Sequence, residues 1–91
     1  MINLENSRAC KEFLSHFSKT DNAEYSVKYF KPAESYRFTG VKRIKGEPIS
    51  YSVMIAEEAV EELGAGSALQ SLRLRALRNF TAVYNGDLVV E

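Results

Sequence analysis

Apolar positions along the chain change period several times. From Asn3 to Lys19 they fall at helical spacing: Ala9, Cys10, Phe13, Leu14 and Phe17 line one face, with Glu5 in the first turn and Lys19 near the end, as the helix dipole favours. Thr20 to Ala23 reads as a polar turn. The period then drops to two, with Tyr25, Val27 and Tyr29 alternating against Ser26 and Lys28 as in a strand. Lys31, Pro32, Ala33 and Glu34 supply a turn, and Tyr36, Phe38 and Gly40 resume the alternation opposite Arg37 and Thr39. Gly40 followed by Val41 breaks parity, which predicts a bulge or bend before Lys42, Arg43, Ile44 and Lys45. Gly46, Glu47 and Pro48 close a second hairpin. Ile49, Tyr51, Val53 and Ile55 then alternate with Ser50, Ser52 and Met54, a third antiparallel strand with one buried face.

Two helix signatures of opposite charge follow between Ala56 and Phe80. In the first, Ala56, Ala59, Val60 and Leu63 share one side while Glu57, Glu58, Glu61 and Glu62 occupy the other, and Gly64 stops it. In the second, Ser67 and Gln70 make a capping-box start, and Leu69, Leu72, Ala76 and Phe80 form the apolar stripe, with Arg75 and Arg78 on the far side. At roughly 100° per residue Arg73 projects within about 40° of the stripe's centre, so it is not a plain surface charge. Either its guanidinium snorkels or pairs with a helix glutamate, or it is held for an anionic partner. Beyond Phe80, Thr81 to Tyr84 and Leu88 to Val90 flank Asn85-Gly86-Asp87, a strong short hairpin signal. An edge ending in Leu88, Val89 and Val90 suits either packing within the domain or pairing with a partner, including a homodimer through that hairpin edge. The expected fold is α+β: an N-terminal helix on a three-stranded antiparallel sheet, followed by two short helices and a C-terminal β-hairpin, in a single domain over residues 1–91.

Ninety-one residues suffice for a modest two-layer core but not for separate cofactor and substrate domains. Hydrophobic residues at 45% and charged residues at 26% are ordinary for a soluble globule. Apolar runs are only a few residues long, and the N-terminal residues have neither the basic start nor the apolar core of a signal peptide. Neither a membrane span nor membrane binding is therefore expected. The single cysteine, Cys10, cannot form an internal disulfide and reads as a small buried hydrophobe, which agrees with a cytoplasmic location. Net charge is zero, yet it is segregated: Lys19 to Lys45 carries +4 and Glu47 to Glu62 carries −5. Such segregation either joins acidic and basic elements inside the fold or makes a bipolar surface that orients a partner.

Candidate chemistry is thin. One cysteine and one histidine cannot make a zinc site, and His16 lies about 240° around the helix from Cys10, which excludes a nucleophile and base pair there. The four glutamates from Glu57 to Glu62 read as a solvated face rather than a cation site. No catalytic set, cofactor or metal is expected. The run Gly64-Ala65-Gly66-Ser67-Ala68-Leu69 resembles the pyrophosphate loop of the GNAT acetyltransferases, which implies acyl-coenzyme A; Glu61 and Glu62 would repel that pyrophosphate, and a tight helix-to-helix turn is the reading adopted. The two helices around a short glycine turn also resemble a helix-turn-helix DNA-binding unit, but Leu69, Leu72, Leu74 and Leu77 leave the second helix little polar surface for base edges. The order helix, three strands, helix resembles the double-stranded RNA-binding domain; Glu57 and Glu58 stand where that family's phosphate-binding residues open the last helix.

With no catalytic set, a small size and charge sorted by element, the expected function is non-catalytic binding of a protein partner. The chain reads as a small cytosolic accessory or inhibitor protein, of the kind phages and mobile elements encode. Its candidate contact residues are Lys28, Arg37, Lys42, Arg43, Lys45, Arg73, Arg75 and Arg78. The alternative is a nucleic-acid-binding domain. There Lys28, Arg37 and Arg43 share the wet sheet face, Lys31, Lys42 and Lys45 sit at hairpin tips, and Tyr and Phe rings lie nearby; the acidic helix and zero net charge oppose it.

Overall fold

A computed structural model describes residues 4–86. Leu4–Asn6 make one 3-10 turn, and Ser7 then caps α1 (Arg8–Asp21), its hydroxyl accepting from the Cys10 amide at 3.0 Å. The helix runs two residues beyond Lys19 and stops at Asn22, which takes a left-handed conformation while the Asn22 and Ala23 amides turn back to the carbonyls of Lys19 and Ser18. Three strands follow: β1 (Glu24–Phe30), β2 (Ser35–Ile44) and β3 (Glu47–Ala56), antiparallel and in that order across the sheet. The turn Lys31–Ala33 joins the first two, as its sequence predicts. Lys45 and Gly46, both at positive φ (53° and 83°), form the two-residue turn that best matches the twist of the strands it joins.

The expected bulge at Gly40 does not occur. Pairing is continuous through Gly40↔Tyr51 and Val41↔Ser50, so the alternation carries on and turns Lys42 and Ile44 to the same side as Tyr36 and Phe38. The glycine has a different cause. A Cβ there would stand 3.0 Å from the Tyr25 ring and 3.4 Å from that of Phe80, so the bare backbone gives those rings room to lie close on the sheet.

Glu57 and Glu58 open α2 (Glu57–Leu63), where carboxylates suit the helix dipole, and the Glu57 amide donates to the Glu34 carbonyl, fixing α2 to the turn between β1 and β2. Gly64 at φ 85° then breaks the helix and leads into α3 (Ala65–Tyr84). This helix begins two residues before Ser67, with no side chain capping it, so the capping box is not used. It spans 20 residues rather than a few turns. The helices cover one face of the sheet, burying Leu4, Cys10, Val60, Leu69, Leu72, Ala76 and Phe80 against Tyr25, Val27, Tyr36, Phe38 and Ile44.

The expected C-terminal hairpin is overturned. Thr81 to Tyr84 continue α3, which ends with the Asn85 and Gly86 amides bonded back to the carbonyls of Thr81 and Val83. Position along the stripe outweighs strand preference here: Val83 extends the series Leu69, Leu72, Ala76, Phe80 and packs on the core. Asn-Gly thus ends a helix rather than turning a hairpin. Leu88 to Val90, the other half of that expected hairpin, lie outside the described residues. The architecture is helix, three-stranded sheet, then a short and a long helix.

Replacing Gly40 by alanine is expected to lower stability by about 1–2 kcal/mol, overpacking outweighing the conformational gain, as read by urea unfolding. An unchanged or raised midpoint would show that Tyr25 and Phe80 give way freely.

Candidate partner-binding surfaces

Of the eight candidate cations, Arg73 is taken inward. Its Nε and Nη2 donate to the two carboxylate oxygens of Asp21 at 2.7 and 2.8 Å, a forked pair with both side chains largely buried. The Tyr25 hydroxyl donates to the same carboxylate at 2.7 Å, and Lys42 Nζ donates to the Asp21 carbonyl at 2.6 Å. Phe17, one turn before Asp21, offers its ring face to the guanidinium, 3.9 Å from the centroid. The partner is therefore an aspartate on α1, not a helix glutamate. Hydrogen bonding from Arg73, joined by that from Tyr25, holds the Asp21 carboxyl below the usual carboxylate range. Burial and the adjacent Asp21 carboxylate push the Tyr25 phenol up. Arg73 and Lys42 hold the fold, and neither side chain stands free at a hairpin tip.

Another tie joins β1 to α2: the Tyr29 hydroxyl donates to Glu57 Oε2 at 3.1 Å. Burial and Glu57 raise the Tyr29 phenol. Burial likewise raises the Cys10 thiol, which is fully enclosed and suited to packing rather than nucleophilic chemistry. Among the described residues no group of three or more metal-ligating side chains comes together.

The remaining candidates fall in three places. Lys28 and Arg37 face each other across β1 and β2 on the sheet face away from the helices, with Met54 next in the row; Arg43 shares that face further along and bonds the Gly46 carbonyl at 2.9 Å. Lys45 lies at the hairpin turn with Nζ 5.2 Å from the centre of the Tyr84 ring, beside a shallow hollow floored by Ile44, Leu77 and Phe80. Arg75 and Arg78 stand on α3 and, with Tyr51, Asn79 and Ala82, line an open hollow of about 350 Å³ between α3 and β3. Among the described residues neither arginine is ion-paired.

The two edges of the sheet differ. On β1 the outward amides of Tyr25 and Tyr29 are taken by Ser18 Oγ at 3.3 Å and Glu5 Oε2 at 3.0 Å, so α1 and the turn before it blunt that edge. On β3 the two-residue turn makes Ile44 and Glu47 a hydrogen-bonded pair. Alternation then points the amides of residues 49, 51, 53 and 55 at β2 and those of Ser50, Ser52 and Met54 outward. Among the described residues nothing accepts from these three amides. No charge interrupts the strand from Ile49 to Ala56, and only Pro48 and Glu47 protect its start.

The structure thus defines a two-layer α+β domain with one covered and one open sheet face. Comparison with protein-family models, curated proteins and solved structures finds no significant match. Among the described residues no helix is long and apolar enough to cross a membrane.

Because the folded Asp21 carboxyl titrates below its ordinary value of 3.8, the pair contributes its full stability above that value and loses it as pH falls through the lower folded value. The urea midpoint of the wild-type chain is expected to drop more steeply below about pH 4 than that of Asp21→Asn. Parallel pH profiles would show that other carboxylates control acid unfolding.

Proposed function

We propose that this chain is a non-catalytic binding protein of the cytosol, an accessory or inhibitor that takes a protein partner at the free edge of β3. The observation that supports this reading is the contrast between the edges: on β1 the protein's own side chains take the outward amides of Tyr25 and Tyr29, while on β3 the outward amides of Ser50, Ser52 and Met54 have no acceptor among the described residues, in a stretch without charge from Ile49 to Ala56. A strand left in that state pairs readily with another extended segment, whose backbone supplies affinity through the ladder. Exposed Met54 beside it adds apolar surface on the open face. The lone cysteine, with no second to pair with, suits a reducing compartment.

Binding of nucleic acid on the open sheet face is the second reading, supported by the direct opposition of Lys28 and Arg37. It ranks lower because the rings such a face needs for base stacking point the other way. Tyr25, Tyr29, Tyr36 and Phe38 pack toward the helices, which leaves Phe30 as the ring on that side among the described residues.

Ser52→Pro removes one outward amide and leaves the β2 ladder intact, as proline allows on an edge. A pull-down from host lysate is expected to retain a protein on the wild-type chain and lose it on this variant, with the two matched in thermal unfolding. Retention of the same protein by both, or of none by either, would contradict the reading.

A further inference from the structure

Resting on that reading of β3, we infer that the partner segment is acidic: an extended stretch with carboxylates at alternate positions, which Arg75 and Arg78 recognise beside Tyr51. A strand added to β3 shares its pleat, so every second side chain lies on the helix side of the sheet. Tyr51 is on that side, paired with Gly40 and packed toward the core. Arg75 and Arg78 line the same hollow, exposed, at the level of the strand's middle. Tyr51 and Ala82 supply an apolar wall for the methylene stems of incoming side chains, and the two guanidiniums supply forked donors that suit carboxylates. The alternation matters because a two-residue spacing keeps successive carboxylates on this one side, whereas neighbouring positions would send one of them to the open face.

A second copy of the chain fits this place badly. Between Ile49 and Ala56 it has no carboxylate to offer, and pairing β3 with itself about Ser52 would bring the two pairs of arginines against one another. A nucleic-acid strand would meet the arginines but has no peptide carbonyls at strand spacing for the amides of Ser50, Ser52 and Met54. The acidic α2 closes the far end of β3, where Glu57 and Glu58 disfavour continuation of the acidic run past Ala56.

Panning the whole protein against a displayed library of random nine-residue peptides tests this. The expected result is enrichment of Asp and Glu at alternating positions. A selected peptide should slow exchange of the Ser50, Ser52 and Met54 amides and bind Arg75→Gln/Arg78→Gln about tenfold more weakly, with the loss shrinking in high salt. Selected peptides that protect the same amides without acidic preference, or that bind the double variant equally, would overturn the acidic inference and leave the edge reading standing. Selected peptides that bind elsewhere, or no selection at all, would overturn both. Binding of a single-stranded oligonucleotide that depends on the two arginines but leaves the three amides unprotected would overturn the inference in favour of a polyanion surface.

Discussion

Asp21 leaves water at the last turn of α1, and an ionised carboxylate so placed must be compensated by the fold itself. Arg73 of α3 supplies the opposite charge in forked geometry, Tyr25 of β1 a hydroxyl, and Lys42 of β2 an ammonium bound to the same residue's carbonyl. Four elements thereby meet at one residue. Desolvation can consume most of what such a pair gains, so the consequence is positional more than energetic: removing either partner strands the other, and α1 and α3 have one mutual placement over the sheet. Phe17 closes the site by covering the guanidinium.

That placement determines what the surface offers. With Arg73 committed inward, Arg75 and Arg78 lie about 200° and 140° around α3 from it, on the outer side. There they meet the flank of β3 rather than the core. The same placement brings Ser18 of α1 and Glu5 of the preceding turn over the β1 edge, whereas among the described residues no side chain does the same for β3. Polar residues settled inside the fold and cations left outside it are two results of one arrangement.

Much of this arrangement is legible in the chain. The three strands follow from the alternation of Tyr25 to Tyr29, Tyr36 to Gly40 and Ile49 to Ile55, and both helices around Gly64 follow from their stripes. The internal pair was half visible: Arg73 breaks an apolar stripe, but Asp21 looks like turn chemistry after Thr20. Its signal is the continuation of Cys10, Leu14 and Phe17 at helical spacing, which puts an acid on the buried face. Gly40 reads as a bulge in the sequence because a glycine that yields space to a ring and one that yields a bulge look alike without the ring's position. Thr81 to Asn85 read as half a hairpin because local strand preference and Asn-Gly chemistry say nothing of Phe80 and Val83 completing a stripe. The unequal edges were not legible at all, since Glu5 and Ser18 reach β1 only through the fold.

The most direct test of the pair's central place is a double-mutant cycle on Asp21 and Arg73, using Asp21→Asn, Arg73→Met and the double variant in urea unfolding. Each single change is expected to cost about 3 kcal/mol by stranding its partner, and the double variant less than the sum by about 2 kcal/mol. Losses that add to within about 0.5 kcal/mol would contradict the account, because independent sites behave that way.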